Sequence, residues 1–170
     1  MVKKIPLLVK IFLIHFIFIF FFFFYDWFPN GFTAIFSGIN ESVYQHMKIG
    51  FFSYILFALI EYAITRKSIT NFGQYFYSRL FSATYLPLVM MVIYLFGPLV
   101  FGRVDSILFE IVFANIALLA TSFTALIIEG QVANSEPGKI FRFVTIALFL
   151  LSFFQFILFT YDLPWFDIFA

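Results

Sequence analysis

The chain has 170 residues, of which 64% are hydrophobic and only 11% are charged, and its mean hydropathy is +1.04. This number of charged residues is too small to cover a water-soluble globule of this size. Lipid must therefore be the solvent for most of the surface. The formal charge of +1 excludes a basic nucleic-acid-binding surface, and the absence of cysteine excludes disulfides and thiolate chemistry.

Five apolar stretches are long enough to cross a bilayer, which takes about 20 helical residues. They run from Ile5 to Tyr25, Asn40 to Thr65, Phe76 to Phe101, Ser106 to Ile128 and Ile140 to Tyr161. Helices are favoured because hydrocarbon cannot satisfy open backbone groups and the stretches lack the alternation of barrel strands. We therefore predict an all-α integral membrane bundle of five transmembrane helices, forming one domain over residues 1–170.

The basic residues indicate how the bundle is oriented, because short cytoplasmic segments collect lysine and arginine. A cytoplasmic N-terminus places most of them inside, namely Lys3, Lys4, Lys10, Arg66, Lys67, Arg79, Lys139 and Arg142, and leaves Lys48 and Arg103 outside. We predict a protein of the cell membrane with its N-terminus in, its C-terminus out, and Trp27 and Trp165 at the outer interface. Whether the loop from Trp27 to Ile39 re-enters the membrane is left open.

The most informative motif is a short polar string at the predicted outer end of the second span. It reads Asn40-Glu41-Ser42-Val43-Tyr44-Gln45-His46-Met47-Lys48. Ionisable groups near hydrocarbon are expensive, so Glu41, His46 and Lys48 together mark a candidate site. On a helix, Glu41, Tyr44, Gln45 and Lys48 share one face, and Ser42 and His46 form a second face beside it.

A purely structural interpretation of the string is a helix start. Asn40 is a suitable N-cap, Glu41 complements the helix dipole, and Ser42-x-x-Gln45 fits a capping box. Capping does not explain His46 and Lys48, which lie further into the helix. Both interpretations stay open, and the predicted ligand-binding residues are Asn40, Glu41, Ser42, Tyr44, Gln45, His46, Lys48 and Glu110.

Glu110 enters this set through the fourth span. A stripe of small residues there suits close helix packing; it comprises Ala114, Ala117, Thr121, Thr124 and Ala125. Glu110 extends the same stripe outward, so it is predicted to face the bundle, either as an ion-pair partner of Lys48 or Arg103 or in a chemical role.

Two further features concern the interior of the spans. His15 lies near the depth of Asn115 and Gln155. A neutral histidine that is hydrogen-bonded to an amide of a neighbouring helix costs less free energy than a proton relay, so we favour this structural role. Glu61, Arg66 and Lys67 are interpreted as interfacial residues at the cytoplasmic end of the second span. Pro87 and Gly97-Pro98 are expected to bend or end the third span.

The polar string resembles the hallmark of a family of small, uncharacterised bacterial and archaeal multi-pass membrane proteins. That hallmark is Asn-Glu-Ser-x-Trp-Glu-His-x-Lys, and Phe159-Thr160-Tyr161 followed by Pro164 resembles the family's second segment. Tyr44 and Gln45 stand where the family has tryptophan and glutamate. The family has no assigned activity, so the resemblance implies a site and no reaction.

Three functions compete. The first is binding or permeation of a small anionic or lipid-derived ligand at an outward-facing pocket, with Lys48 and His46 holding the anionic group. The second is an intramembrane enzyme acting on a lipid headgroup, with Glu41 or Glu110 as base and His46 as acid, or with a metal held by these three residues. The third is a structural or assembly protein. Catalytic residues, cofactor and oligomeric state are not predicted, and no metal site is assigned.

Overall fold

The computed structural model describes residues 5–102 and 104–162, and over these residues it is helical without strands. The helices are α1 (Leu7–Trp27), α2 (Gly31–Phe36), α3 (Val43–Thr65), α4 (Phe72–Phe101), α5 (Ile107–Asn134) and α6 (Lys139–Tyr161). All but α2 are long and apolar enough to cross a membrane, which confirms the predicted all-α bundle of five transmembrane helices. Four residues used in the predicted orientation lie outside the described residues, namely Lys3, Lys4, Arg103 and Trp165.

Two helices extend beyond their predicted bounds toward the end where α1 begins. α4 starts at Phe72 because the Asn71 side chain accepts a hydrogen bond from the backbone N–H of Gln74 and caps the helix. α5 continues past the predicted end at Ile128 to Asn134. Glu129, predicted to lie beyond the span, is therefore part of a helix.

The prolines do not end α4, which runs through Pro87 and Pro98. The helix stops at Gly102, whose φ of +67° is in the left-handed region that glycine occupies without strain. The helix therefore ends at Phe101, as the predicted span does, and the glycine that follows ends it rather than the prolines.

The most deeply buried of the long helices is α3, which packs against α1 and α4. Its fully buried side chains include Phe51, Tyr54 and Phe57. The outward surfaces of the other long helices carry exposed large apolar residues such as Phe16, Leu99 and Ile140, as a lipid-facing surface requires.

The small-residue stripe of α5 packs as predicted. Ala117, Thr121 and Ala125 are buried, and the Ser82 hydroxyl of α4 donates to the backbone oxygen of Ala125 at 3.2 Å. Small side chains let two backbones approach closely enough for such a bond.

The bundle has two ends that differ in chemistry. We call the end where α1, α4 and α6 begin and α3 and α5 finish the amino end, and the other the opposite end. The opposite end carries α2, which lies in the Trp27 to Ile39 loop. Reciprocal hydrogen bonds between Asn30 and Thr33 form a capping box at the start of this helix. Which membrane face each end occupies stays a prediction.

Candidate functional site

At the opposite end, the N-cap of α3 lies two residues later in the polar string than predicted. The N-cap is Ser42, whose hydroxyl accepts from the Gln45 N–H at 3.3 Å, and the predicted N-cap Asn40 instead accepts from the Ser42 N–H at 3.1 Å. The Gln45 side chain does not reach back to complete a capping box. Its amide is fully buried, and neither Nε2 nor Oε1 has a hydrogen-bond partner in the described part of the chain.

Lys48 is fully buried and joins three elements. Its Nζ donates to the Ala34 carbonyl of α2 at 2.7 Å and to Thr160 Oγ1 of α6 at 3.1 Å. Thr160 belongs to the Phe-Thr-Tyr segment that resembles the family's second motif. The two motifs noted in the sequence therefore meet in space at the Lys48 ammonium group.

His46 faces different neighbours from Lys48. Its ring lies beside Phe18 and Phe22 of α1 and Tyr94 of α4, and its Nδ1 is 2.9 Å from the Ser42 carbonyl. The Lys48 side chain therefore contacts α2 and α6, whereas the His46 side chain contacts α1 and α4. This arrangement does not support the binding of one anion by both side chains.

Two other members of the predicted set lie at the edge of this region. The Glu41 carboxylate is largely exposed and comes within 3.8 Å of His46 Nε2. The Tyr44 hydroxyl donates to the Gln155 carbonyl of α6 at 3.1 Å, so Tyr44 ties α3 to α6. Ligand binding by the predicted residues stays a prediction.

The prediction that Glu110 faces the bundle is wrong, because the structure leaves its side chain exposed. Its neighbours Ile107, Leu108 and Ile111 are also exposed, so the first turn of α5 projects beyond the helix packing. Among described residues, no hydrogen bond or ion pair links Glu110 to the polar string, and no three His, Asp or Glu side chains come close enough together to hold a metal.

The amino end holds a cluster of buried charges that the sequence reasoning missed. It consists of Lys10 from α1, Glu61 from α3, Arg79 from α4 and Glu129 from α5, and we call it the charge cluster. Arg79 Nη2 lies 2.8 Å from Glu61 and 3.1 Å from Glu129, and Lys10 Nζ contacts both carboxylates. Four transmembrane helices are therefore joined by one ionic network.

Aromatic and hydroxyl groups complete the charge cluster. The fully buried Tyr54 hydroxyl donates to Glu129, and the Arg79 guanidinium stacks 3.8 Å from the centre of the Tyr75 ring. Arg79 Nη1 also donates to Ser78 Oγ at 2.9 Å. These contacts hold the guanidinium plane in one orientation.

A cleft of about 290 Å³ opens beside the charge cluster. All four charged residues line it, together with Ile5, Thr65, Ser68, Ile69, Tyr75, Gly130, Ala133 and Asn134. The side chains of Lys10 and Arg79 are 16% and 13% exposed, whereas those of Glu61 and Glu129 are 4% and 3% exposed. The cations therefore lie nearer the entrance and the carboxylates lie deeper.

The sequence contained part of the signal for this cluster. Glu61 was visible as an ionisable residue near a predicted span end, and assigning it to the interface hid its burial. Arg79 was counted only among the basic residues on the cytoplasmic side. Glu129 was missed because the fourth span was ended at Ile128. His15 also departs from its prediction, since its buried Nδ1 has no partner within the described residues and Asn115 bonds its own helix at Ile111.

Five apolar helices of spanning length, with ionisable side chains gathered at both ends of the bundle, define a multi-pass α-helical membrane protein. The chain belongs to a family of unknown function, DUF6512, whose model matches residues 2–170. This match confirms membership of an uncharacterised family; the hallmark motif itself stays a prediction. No curated protein and no solved structure shows significant similarity to the chain.

Proposed function

We propose that the protein binds a small zwitterionic, lipid-derived ligand in the amino-end cleft. The observation that carries this proposal is the charge cluster itself, in which two cations and two carboxylates from four helices line one opening of about 290 Å³. The proposal keeps the predicted lipid-derived ligand and moves its site to the other end of the bundle. It places the protein in the cell membrane with the cleft on the cytoplasmic side.

Charge balance selects the class of ligand. Lys10 and Arg79 together offset Glu61 and Glu129, so the ionised cluster carries no net charge. A lone anion or cation would leave an uncompensated charge in a poorly solvated place, which is expensive. A ligand with one positive and one negative group adds no net charge.

The depth of the charged groups sets the orientation of such a ligand. Its anionic group would meet Lys10 and Arg79 near the entrance, since guanidinium and ammonium groups are the usual partners of phosphate. Its ammonium would approach the deeper carboxylate oxygens of Glu61 and Glu129. A phosphoethanolamine headgroup carries both groups and is small enough for a cleft of about 290 Å³.

A thermal-stability experiment tests the proposal. The purified protein in a neutral detergent would be heated with glycerophosphoethanolamine, with glycerol phosphate or with ethanolamine. We expect the zwitterion to raise Tm by a few degrees and each half-ligand to raise it less, because binding to the folded state stabilises it.

Two variants test whether the net charge of the cluster determines which ligand binds best. Glu129→Gln leaves one extra positive charge, so glycerol phosphate should become the better ligand. Lys10→Met leaves one extra negative charge, so ethanolamine should become the better ligand. Glu110→Gln, an exposed glutamate at the opposite end, serves as the control and should keep the parental preference. The proposal is rejected if the parent shows no zwitterion-dependent shift or if the order of ligands is the same in all variants.

A further inference from the structure

We infer that Lys48, Gln45 and Ser37 form a second binding site, at the opposite end of the bundle, for a small inorganic anion such as chloride. This site shares no residue with the amino-end cleft. It keeps two of the residues predicted from the sequence, Lys48 and Gln45, but adds Ser37, which was not predicted, and leaves out His46.

Lys48 brings an ionisable group into a fully buried place. Its side chain is fully buried, and its hydrogen-bond acceptors, the Ala34 carbonyl and the Thr160 hydroxyl, are both neutral. Among the described residues no carboxylate lies within ion-pairing distance of Nζ, and the nearby Glu41 is exposed and turned to His46. A buried ammonium without a counter-charge is strongly destabilising, so a counter-ion would be favoured here.

The other two members of the site are buried polar side chains with unused hydrogen-bonding groups. Gln45 and Ser37 are each fully buried, and neither the Gln45 amide nor the Ser37 hydroxyl has a partner in the described part of the chain. Buried polar groups are nearly always satisfied, so unpartnered groups in a fully buried place indicate a bound species.

Ser37, Gln45 and Lys48 lie around the connection between α2 and α3. Ser37 directly follows α2, whose Ala34 carbonyl is bonded to Lys48. Gly38, the next residue, packs against Gln45, since a Cβ built on it would lie 3.7 Å from Gln45 Cβ. All three residues thus border the connection between α2 and α3, and each side chain offers an N–H or O–H from which a halide can accept a hydrogen bond.

The test compares the purified protein in sodium chloride, sodium bromide and sodium gluconate at equal ionic strength. Gluconate is too large for a fully buried place, so we expect Tm to be several degrees higher in either halide. Lys48→Met should abolish this difference, and the matched control Lys67→Met, an exposed lysine at the amino end, should retain it. Bromide should also give an anomalous scattering peak beside Lys48 in crystals.

Gln45→Leu keeps the inference testable if Lys48→Met does not fold. Removing an unpartnered amide from an empty site should leave stability unchanged or higher, whereas removing it from an anion site should reduce the halide-dependent rise in Tm. The inference is overturned if the parent shows no halide dependence or if Gln45→Leu keeps it in full. Glu129→Gln should leave the halide effect unchanged, so failure of this inference is distinct from failure of the proposed cleft function.

Discussion

At the scale of single residues, the structure is governed by how each buried charge finds a partner. Glu61 accepts hydrogen bonds from Arg79 Nε at 3.2 Å and Nη2 at 2.8 Å, and Lys10 contacts its other oxygen. Removing one member of such a network leaves the others buried and unpaired, which costs far more than an exposed ion pair is worth. The charge cluster therefore stabilises the fold only as a complete set.

Tyr54→Phe tests this dependence at one atom. The change removes a fully buried hydroxyl that donates to Glu129, so we expect the free energy of unfolding to fall by about 1–3 kcal/mol. Reversible unfolding in mixed micelles measures the loss. Tyr62→Phe, an exposed tyrosine of the same helix, is the control and should change stability by less than about 0.5 kcal/mol. Equal effects of the two variants would contradict this account.

At the scale of helices, close approach decides which pairs pack. Gly97 of α4 is buried against α5, and a Cβ built on it would lie 2.5 Å from the Phe113 ring. The glycine therefore leaves room for an aromatic ring between two helices. Gly130 of α5 is also within a helix, but a Cβ built on it would have no neighbouring atom within 4 Å.

A pair of glycine substitutions separates packing from helix propensity. Gly130→Ala should be neutral or stabilising by up to about 1 kcal/mol, because alanine favours the helix. Gly97→Ala gains the same propensity but displaces Phe113, so its unfolding free energy should fall below that of Gly130→Ala by about 1–3 kcal/mol. Chemical denaturation of both variants provides the measurement. A Gly97→Ala protein as stable as Gly130→Ala would show that the ring moves aside freely.

At the scale of the whole molecule, the two ends of the bundle differ in how they place their charged groups. The amino end concentrates the charge cluster and the opening beside it, whereas the opposite end buries Lys48 beneath α2. The basic residues of the sequence favour an amino end on the cytoplasmic side. Orientation then decides which compartment can reach the cleft.

Cysteine labelling tests the orientation, because the natural chain has no cysteine. Thr70→Cys places a thiol on the exposed turn between α3 and α4 at the amino end, and Ile39→Cys places one before α3 at the opposite end. In intact cells, a membrane-impermeant maleimide should label Ile39→Cys, and it should label Thr70→Cys only after permeabilisation. The reverse pattern would place the cleft outside the cell.

Several elements were predictable from local properties of the sequence. Apolar runs of spanning length determine the five long helices, because a bilayer imposes both length and hydropathy. The small side chains of α5 likewise predicted a packed face, confirmed by the burial of Ala117, Thr121 and Ala125. The short helix α2 was not predicted, because its six residues are held by a cap and by neighbours that are distant in sequence.

The sequence by itself determined the class of protein, the number of spans and the ionisable residues that are costly near hydrocarbon. Only the tertiary structure decided their partners. Lys48 meets Thr160, 112 residues further along the chain, and Lys10 meets Glu129, 119 residues away. Helical spacing assigns a side chain to a face of its own helix, but the neighbour on that face depends on how all the helices pack.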